Sequence, residues 1–241
     1  VIHRHRFGFR DTCLELVTDL VELHDFWVRY TAGFPAAGEP RARYEALAEG
    51  GARFSGSNGL VRSADRSEDL FPMLEGEFLD DLLRWAGPGE SIVHAAGIAG
   101  DSGAAIYLGA AGAGKSTLSV ELVREGGVFL GDDTVIVGND FAMALPRPIC
   151  FTRHEQPADL LPEGDDLFDS FGYDYTDRLG RWREALHFLP RGPQLARAGD
   201  RFALGEVFLL EREAEGPPAR RRLSGAELRA RLALARIRSD P

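Results

Sequence analysis

Lysine is almost missing from this sequence. Of its 28 basic side chains, 27 are arginine, and the single lysine is Lys115. A GC-rich genome accounts for such a bias, so the exception carries the information. A compact ammonium on a flexible stem fits beneath a phosphate chain where a planar guanidinium is too broad. Cysteine is nearly as scarce. Cys13 and Cys150, far apart, are too few for a disulfide scaffold or a zinc cluster, and they point to a reducing, cytoplasmic setting. No apolar run reaches the roughly 20 residues that span a bilayer, so no membrane segment is expected. Arg4, Arg6 and Arg10 are not followed by an uninterrupted apolar stretch, and nothing near them reads as a signal peptide. Positive charge is short as well. A net charge of −10 disfavours nucleic acid as a partner, because the phosphate backbone rewards a basic face. Apolar residues, at 44% of 241, suffice for a substantial core in one large domain or two small ones.

Residues 1–64 are the least legible. Leu14, Leu16, Val17, Leu20, Val21, Leu23 and Trp27 recur as in a helix, with a Pro/Gly turn after them at 33–40. Short strands are predicted over 52–61 around the Ser57–Asn58–Gly59 turn, and a helix over 68–85. Residues 91–99 read as one buried strand, 100–103 as a hairpin turn and 104–108 as the returning strand. A helix over about 115–125, with Leu118 and Leu122 on one face, stops at Gly126–Gly127. A strand over 128–130 runs into Asp132 and Asp133. A hairpin about Asn139–Asp140 comes next, and extended structure resumes over 149–152. Residues 155–177 are acidic and aromatic without a clear period, as in a lid or binding loop. A strand is predicted over 207–210. A capping box at Ser224 and Glu227 opens a C-terminal helix that would pack Leu228 and Leu232. The expected organisation is an N-terminal α+β region, 1–85, packed on a core of 86–241.

Chemistry concentrates at Gly109-Ala110-Ala111-Gly112-Ala113-Gly114-Lys115-Ser116, with Thr117 next. This is the phosphate-binding loop pattern, placed after an apolar strand and before an amphipathic helix. Glycines let the backbone wrap closely and aim successive N–H groups at phosphate oxygens. The helix N-terminus adds its own donors and dipole. Lys115 is expected at the β- and γ-phosphates and Ser116 at magnesium, so ATP and Mg2+ are the expected ligands. Asp132 and Asp133 follow where such a protein needs a carboxylate for the metal. Adjacent carboxylates on extended backbone point differently, so one can attend the metal and the other an acceptor hydroxyl as general base. The plainer reading gives one metal-associated aspartate and one turn residue. A lone histidine on a buried strand, such as His94, is ordinarily a satisfied core residue. The hairpin also returns it towards the phosphate end, where it can orient a carboxylate or contact phosphate.

Together, His94-Ala-Ala-Gly-Ile-Ala, the hairpin, Gly109 to Ser116 and Gly131-Asp132-Asp133 resemble the HPr kinase/phosphorylase catalytic domain. The wider group shares a core with phosphoenolpyruvate carboxykinases. The resemblance covers roughly 91–138, extends more weakly to 145–153, and implies a mixed α/β (α+β) fold in which a hairpin precedes the phosphate loop. It implies transfer of the ATP γ-phosphoryl group to a hydroxyl. It implies Asp132 as base, Asp133 with Ser116 at the metal, His94 as a site residue, and Arg147 near the transferred phosphate. The glycine-rich signature that follows the aspartates in true HPr kinases is missing, and residues 1–85 do not resemble their N-terminal domain. HPr is therefore not the expected acceptor. Compact relatives include kinases that phosphorylate serine in ribosomally made peptides.

Three readings remain open at this point. The first is a kinase acting on a peptide serine or a small-molecule hydroxyl, with segment 155–177, Arg147 and Arg153 on the acceptor side. The second is a nucleotide-binding regulatory protein with little transferase activity. The third, a carboxykinase-like enzyme, would need a second metal site containing a lysine, and Lys115 is already used. A homo-oligomer is compatible with any of them.

Overall fold

The computed structural model describes residues 1–48, 51–153, 161–177, 179–211 and 227. The expected C-terminal helix with Ser224, Leu228 and Leu232 lies outside the described residues, apart from Glu227 itself. So do residues 155–160.

The first long apolar stretch is a strand, not the start of a helix. Strands β1 (His3–Phe9) and β2 (Thr12–Thr18) form an antiparallel hairpin. Cys13 to Thr18 are buried in succession because both faces of β2 are covered, and this erases the alternation that marks a half-exposed strand. Helix α1 (Val21–Tyr30) begins only after Leu20. Strand β3 (Ala42–Leu47) pairs parallel with β2, and β4 (Arg53–Ser55) and β5 (Val61–Ser63) complete a five-stranded sheet. Helix α2 (Leu70–Arg84) buries Leu70, Leu74, Phe78 and Leu82 at helical spacing, as predicted. Phe78 meets Phe7, Trp27 and Phe34 edge-on, with ring centroids 5.1–5.5 Å apart.

A seven-stranded sheet carries the phosphate-loop sequence. In spatial order its strands are β6 (Ser91–Val93), β10 (Val135–Val137), β11 (Phe141–Met143), β15 (Arg201–Leu210), β8 (Gly103–Gly109), β7 (Ala95–Gly100) and β9 (Val128–Gly131). The stretch 91–99 is two strands, β6 (Ser91–Val93) and β7 (Ala95–Gly100), parted at His94. The division has a cause in the pairing: β6 pairs with β10 (Val135–Val137), whereas β7 pairs with β8 (Gly103–Gly109) and β9 (Val128–Gly131). The chain changes partners at the histidine. The β7–β8 hairpin leads straight into Gly109, and α3 (Lys115–Arg124) follows the loop. On α3 the buried face is Ser119, Val120 and Val123; Leu118 and Leu122 are only half-buried. Strand β11 (Phe141–Met143) closes the predicted hairpin with β10, and β15 (Arg201–Leu210) runs parallel to β8.

A third sheet, β12-β14-β13, corrects the lid reading. Strands β12 (Ile149–Thr152), β13 (Phe168–Thr176) and β14 (Trp182–Pro190) pair antiparallel. The stretch 168–176 is therefore a paired strand. Phe168 and Phe171 are both buried although three residues apart, so they face opposite sides of β13 and no period of two survives. Three of the acidic side chains are engaged internally. Asp169 holds Arg29 and Arg191, Asp165 holds Arg124, and Asp177 holds Arg181 and Arg183.

The architecture is thus mixed α+β, with several sheets and few helices. One continuous apolar cluster contains Phe7, Trp27 and Phe78 from the N-terminal region and Val120, Phe129 and Phe188 from the remainder. Among the described residues no helix is long and apolar enough to cross a membrane.

Candidate functional site

Sheet directions bring the sequence candidates together. Strands β8 and β9 both run antiparallel to β7, and β15 runs parallel to β8. The C-terminal ends of β8 and β9 therefore share one edge with the N-terminal end of β7. Gly109 and the loop leave from the first, Asp132 and Asp133 from the second, and His94 enters at the third.

The loop itself is held open by glycine. Gly112 and Gly114 have φ of 76° and 96°, in the left-handed region that residues with a Cβ rarely adopt. Gly109 is needed for a different reason: a Cβ there would come 3.0 Å from both Ala113 Cβ and Leu210 O. Ala110, Ala111, Gly112 and Gly114 are exposed, Ala113 partly so, which leaves this backbone accessible ahead of α3. Thr117 follows on the first turn of α3.

Lys115 is buried, 5% exposed, beneath its own loop. Its Nζ donates to Gly109 O at 3.0 Å and Ala110 O at 3.3 Å, and lies 3.2 Å from His94 Nε2. An ammonium only donates, so Nε2 accepts at this contact. His94 is half-exposed and not a core residue, and the same Nε2 lies 3.7 Å from Asp133 Oδ1.

The two aspartates have different surroundings. Asp132 is buried, and its Oδ2 accepts from Ser116 Oγ at 2.7 Å. Its other oxygen, Oδ1, is buried without a hydrogen-bond partner, as is the hydroxyl of Thr134 two residues on. Burial, and next the charge of Asp133, push the Asp132 carboxyl well above the usual carboxylate range; the Ser116 hydrogen bond and Lys115 pull it back. Asp133 sits at φ 60°, a left-handed conformation that aspartate tolerates better than most residues, with its side chain half-exposed beside His94. Gly131 permits this turn, since a Cβ there would come 2.5 Å from both Leu145 O and Thr134 O.

Arg147 is half-buried between Pro146 and Pro148. Its Nε donates to the Tyr30 hydroxyl at 2.9 Å. Burial alone would pull its guanidinium down, but Tyr30, Glu75 and Asp133 hold it above its ordinary value. Arg153, by contrast, is committed elsewhere: it pairs with Glu163 at 2.6 Å and Glu184 at 2.7 Å. Tyr30 and Thr134 belong to the surroundings of the site and carry no motif that would have singled them out. A cavity of about 310 Å³ lies on the β13–β14 face, where its lining includes Ser170, Asp174 and the two Arg153 partners Glu163 and Glu184. Its walls include residues of the 155–177 segment but not the Gly109–Ser116 loop, His94, Asp132, Asp133 or Arg147.

No protein-family model matches the chain, and no curated protein matches it. The chemistry is therefore read from the residues themselves. A buried carboxylate bonded to the loop serine, a lysine under the loop and a half-exposed carboxylate beside a histidine form one constellation at one sheet edge.

Proposed function

We propose that the chain is an ATP-dependent kinase that transfers the γ-phosphoryl group to a hydroxyl of a peptide serine or a small molecule. The observation that carries this reading is the Ser116–Asp132 hydrogen bond with Asp132 Oδ1 left buried and unpartnered. A buried polar atom without a partner is costly unless something fills the place, and a hydrated cation suits a carboxylate next to a serine hydroxyl. Ser116 and Asp132 would hold magnesium. The ion, when bound, supplies positive charge to the phosphate oxygens. Among the described residues no three His, Cys, Asp or Glu side chains form a metal cage. Magnesium bound through one or two protein ligands and phosphate oxygens needs none.

The two aspartates take roles opposite to those the resemblance implies. Asp132 is buried against Ser116 and belongs with the metal. Asp133 is the more accessible and lies beside His94, so it is the base. In the transfer, the acceptor oxygen forms a bond to the γ-phosphorus, the bond from that phosphorus to the β-bridging oxygen breaks, and the acceptor proton passes to Asp133. ADP leaves. Lys115 and the loop N–H groups hold the phosphates. His94 accepts from Lys115 and lies beside Asp133.

Mass spectrometry tests the reading after incubation with ATP, magnesium and a panel of serine peptides and hydroxylated metabolites. One acceptor gaining one phosphate, and not with Lys115→Ala, is the expected result. Tight MgATP binding with no acceptor modified would favour a regulatory nucleotide-binding protein instead. Failure to bind MgATP at all would remove the phosphate-loop assignment.

A further inference from the structure

We infer that the C-terminal turn of α1 positions Arg147 for the transferring phosphoryl group, through the hydroxyl of Tyr30 and the bare backbone of Gly33. The inference rests on the phosphate site proposed above. It gives the N-terminal region a part in that site which the loop motif does not contain.

Arg147 is tied to the paired aspartates by backbone. Leu145 N donates to Leu130 O at 2.8 Å, in the strand that leads into Asp132. Arg147 follows two residues after Leu145; against burial, Tyr30 first, then Glu75 and Asp133, hold its guanidinium above its ordinary value. Pro146 and Pro148 narrow the backbone choices on both sides, and the residue before a proline is pushed to extended conformations. The direction of the side chain is then set from α1. Tyr30 is 1% exposed and lies flat against Trp27, with ring centroids 4.7 Å apart and 8° between planes. A hydroxyl held that rigidly fixes where the Arg147 Nε can be. Among the described residues this is the guanidinium's one hydrogen bond. An arginine bonded through Nε keeps its four Nη–H donors for a planar, anionic group.

Gly33 supplies the second constraint independently. A Cβ at Gly33 would come 2.5 Å from Pro146 Cγ and 3.1 Å from Pro146 Cβ, so the α1 turn packs directly onto the residue before Arg147. The Gly33 carbonyl also accepts from Ala198 N at 2.7 Å, which anchors the turn from the other side. Tyr30 and Gly33 are positioning residues that act through Arg147. A purely structural Tyr30–Arg147 pair would affect melting alone.

Calorimetric binding of MgADP, with and without fluoroaluminate as a mimic of the phosphoryl group in transfer, separates these roles. The variants are Tyr30→Phe, Gly33→Ala and Arg147→Ala, with melting temperatures recorded for each. Wild type is expected to bind MgADP more tightly with fluoroaluminate present. Tyr30→Phe should keep MgADP affinity within about twofold but lose at least about tenfold of the fluoroaluminate enhancement, the scale of a misplaced catalytic group. Arg147→Ala should lose as much, and the double variant no more. Gly33→Ala repeats the test if Tyr30→Phe folds poorly. An unchanged enhancement in Tyr30→Phe and Gly33→Ala overturns the inference and leaves the phosphate site standing, as does a wild type that binds MgADP with no enhancement. A wild type that does not bind MgADP overturns both.

Discussion

Ser116 Oγ donates to Asp132 Oδ2 across 2.7 Å, joining the first turn of α3 to the residue that follows β9. If the pair holds magnesium together, Ser116→Ala and Asp132→Asn should each weaken nucleotide binding in magnesium and have little effect on the weaker binding in EDTA. Their effects should not add. A coupling energy of about 0.5–3 kcal/mol is expected from a double-mutant cycle measured by titration calorimetry.

Lys115 tests the loop. Lys115→Ala should abolish nucleotide turnover. Lys115→Arg should do nearly the same despite keeping the charge, because the buried space under Gly109 and Ala110 is shaped for an ammonium. Normal turnover in either variant, measured by ADP release, would count against the assignment.

Asp133→Asn should reduce transfer by about 10²–10⁴-fold with MgATP affinity nearly unchanged, as expected when a base is lost. Steady-state kinetics beside equilibrium binding would read the two apart. Equal loss of both would move Asp133 to the metal.

His5 gives a pH dependence of stability. Burial, and next the neighbouring His24, lower its pKa from 6.5 to about 4. Its Nε2 lies 2.8 Å from Thr31 Oγ1, and His3 lies tilted against His24, with ring centroids 5.2 Å apart, while His24 pairs with Asp25. Between those two pKa values the unfolded chain binds a proton that the folded protein does not. Stability should therefore fall as pH drops from about 6.5 to 4, by about 1–2 kcal/mol after allowance for solvent screening of the partly exposed ring. Urea midpoints of wild type and His5→Gln should converge in slope above pH 7 and diverge below it.

Phe78→Ala should cost about 3–5 kcal/mol, the range for a fully buried phenylalanine. It removes the ring on which β1, α1 and the turn after α1 converge. Because the apolar cluster runs from this ring to Val120 beside the phosphate loop, the melting transition should move as one step and nucleotide binding should fail with it.

Local signals single out the candidate site. The glycines, Lys115, Ser116 and the aspartates stand out because the phosphate-loop pattern sets those residue types in a short run, and α2 is legible because its apolar spacing is undisturbed. Strands β2, β13 and β14 were not. The successive burial of 13–18 and 185–190 comes from being covered on two faces, so alternation vanishes and only pairing partners reveal the strand. Tyr30 could not be found either, since its partner is 117 positions away. The split at His94 depends on β6 and β7 choosing different neighbours, which no window of sequence records.

The solitary lysine has one further consequence. Every other basic side chain here is a guanidinium, so lysine-directed acylation, cross-linking or tagging of side chains has a single target in this sequence. That target is 5% exposed and bonded to its own loop. Such chemistry cannot decorate the surface harmlessly. It either finds no purchase or strikes the Gly109–Ser116 loop itself, and the extent of labelling becomes a direct gauge of how often that loop opens.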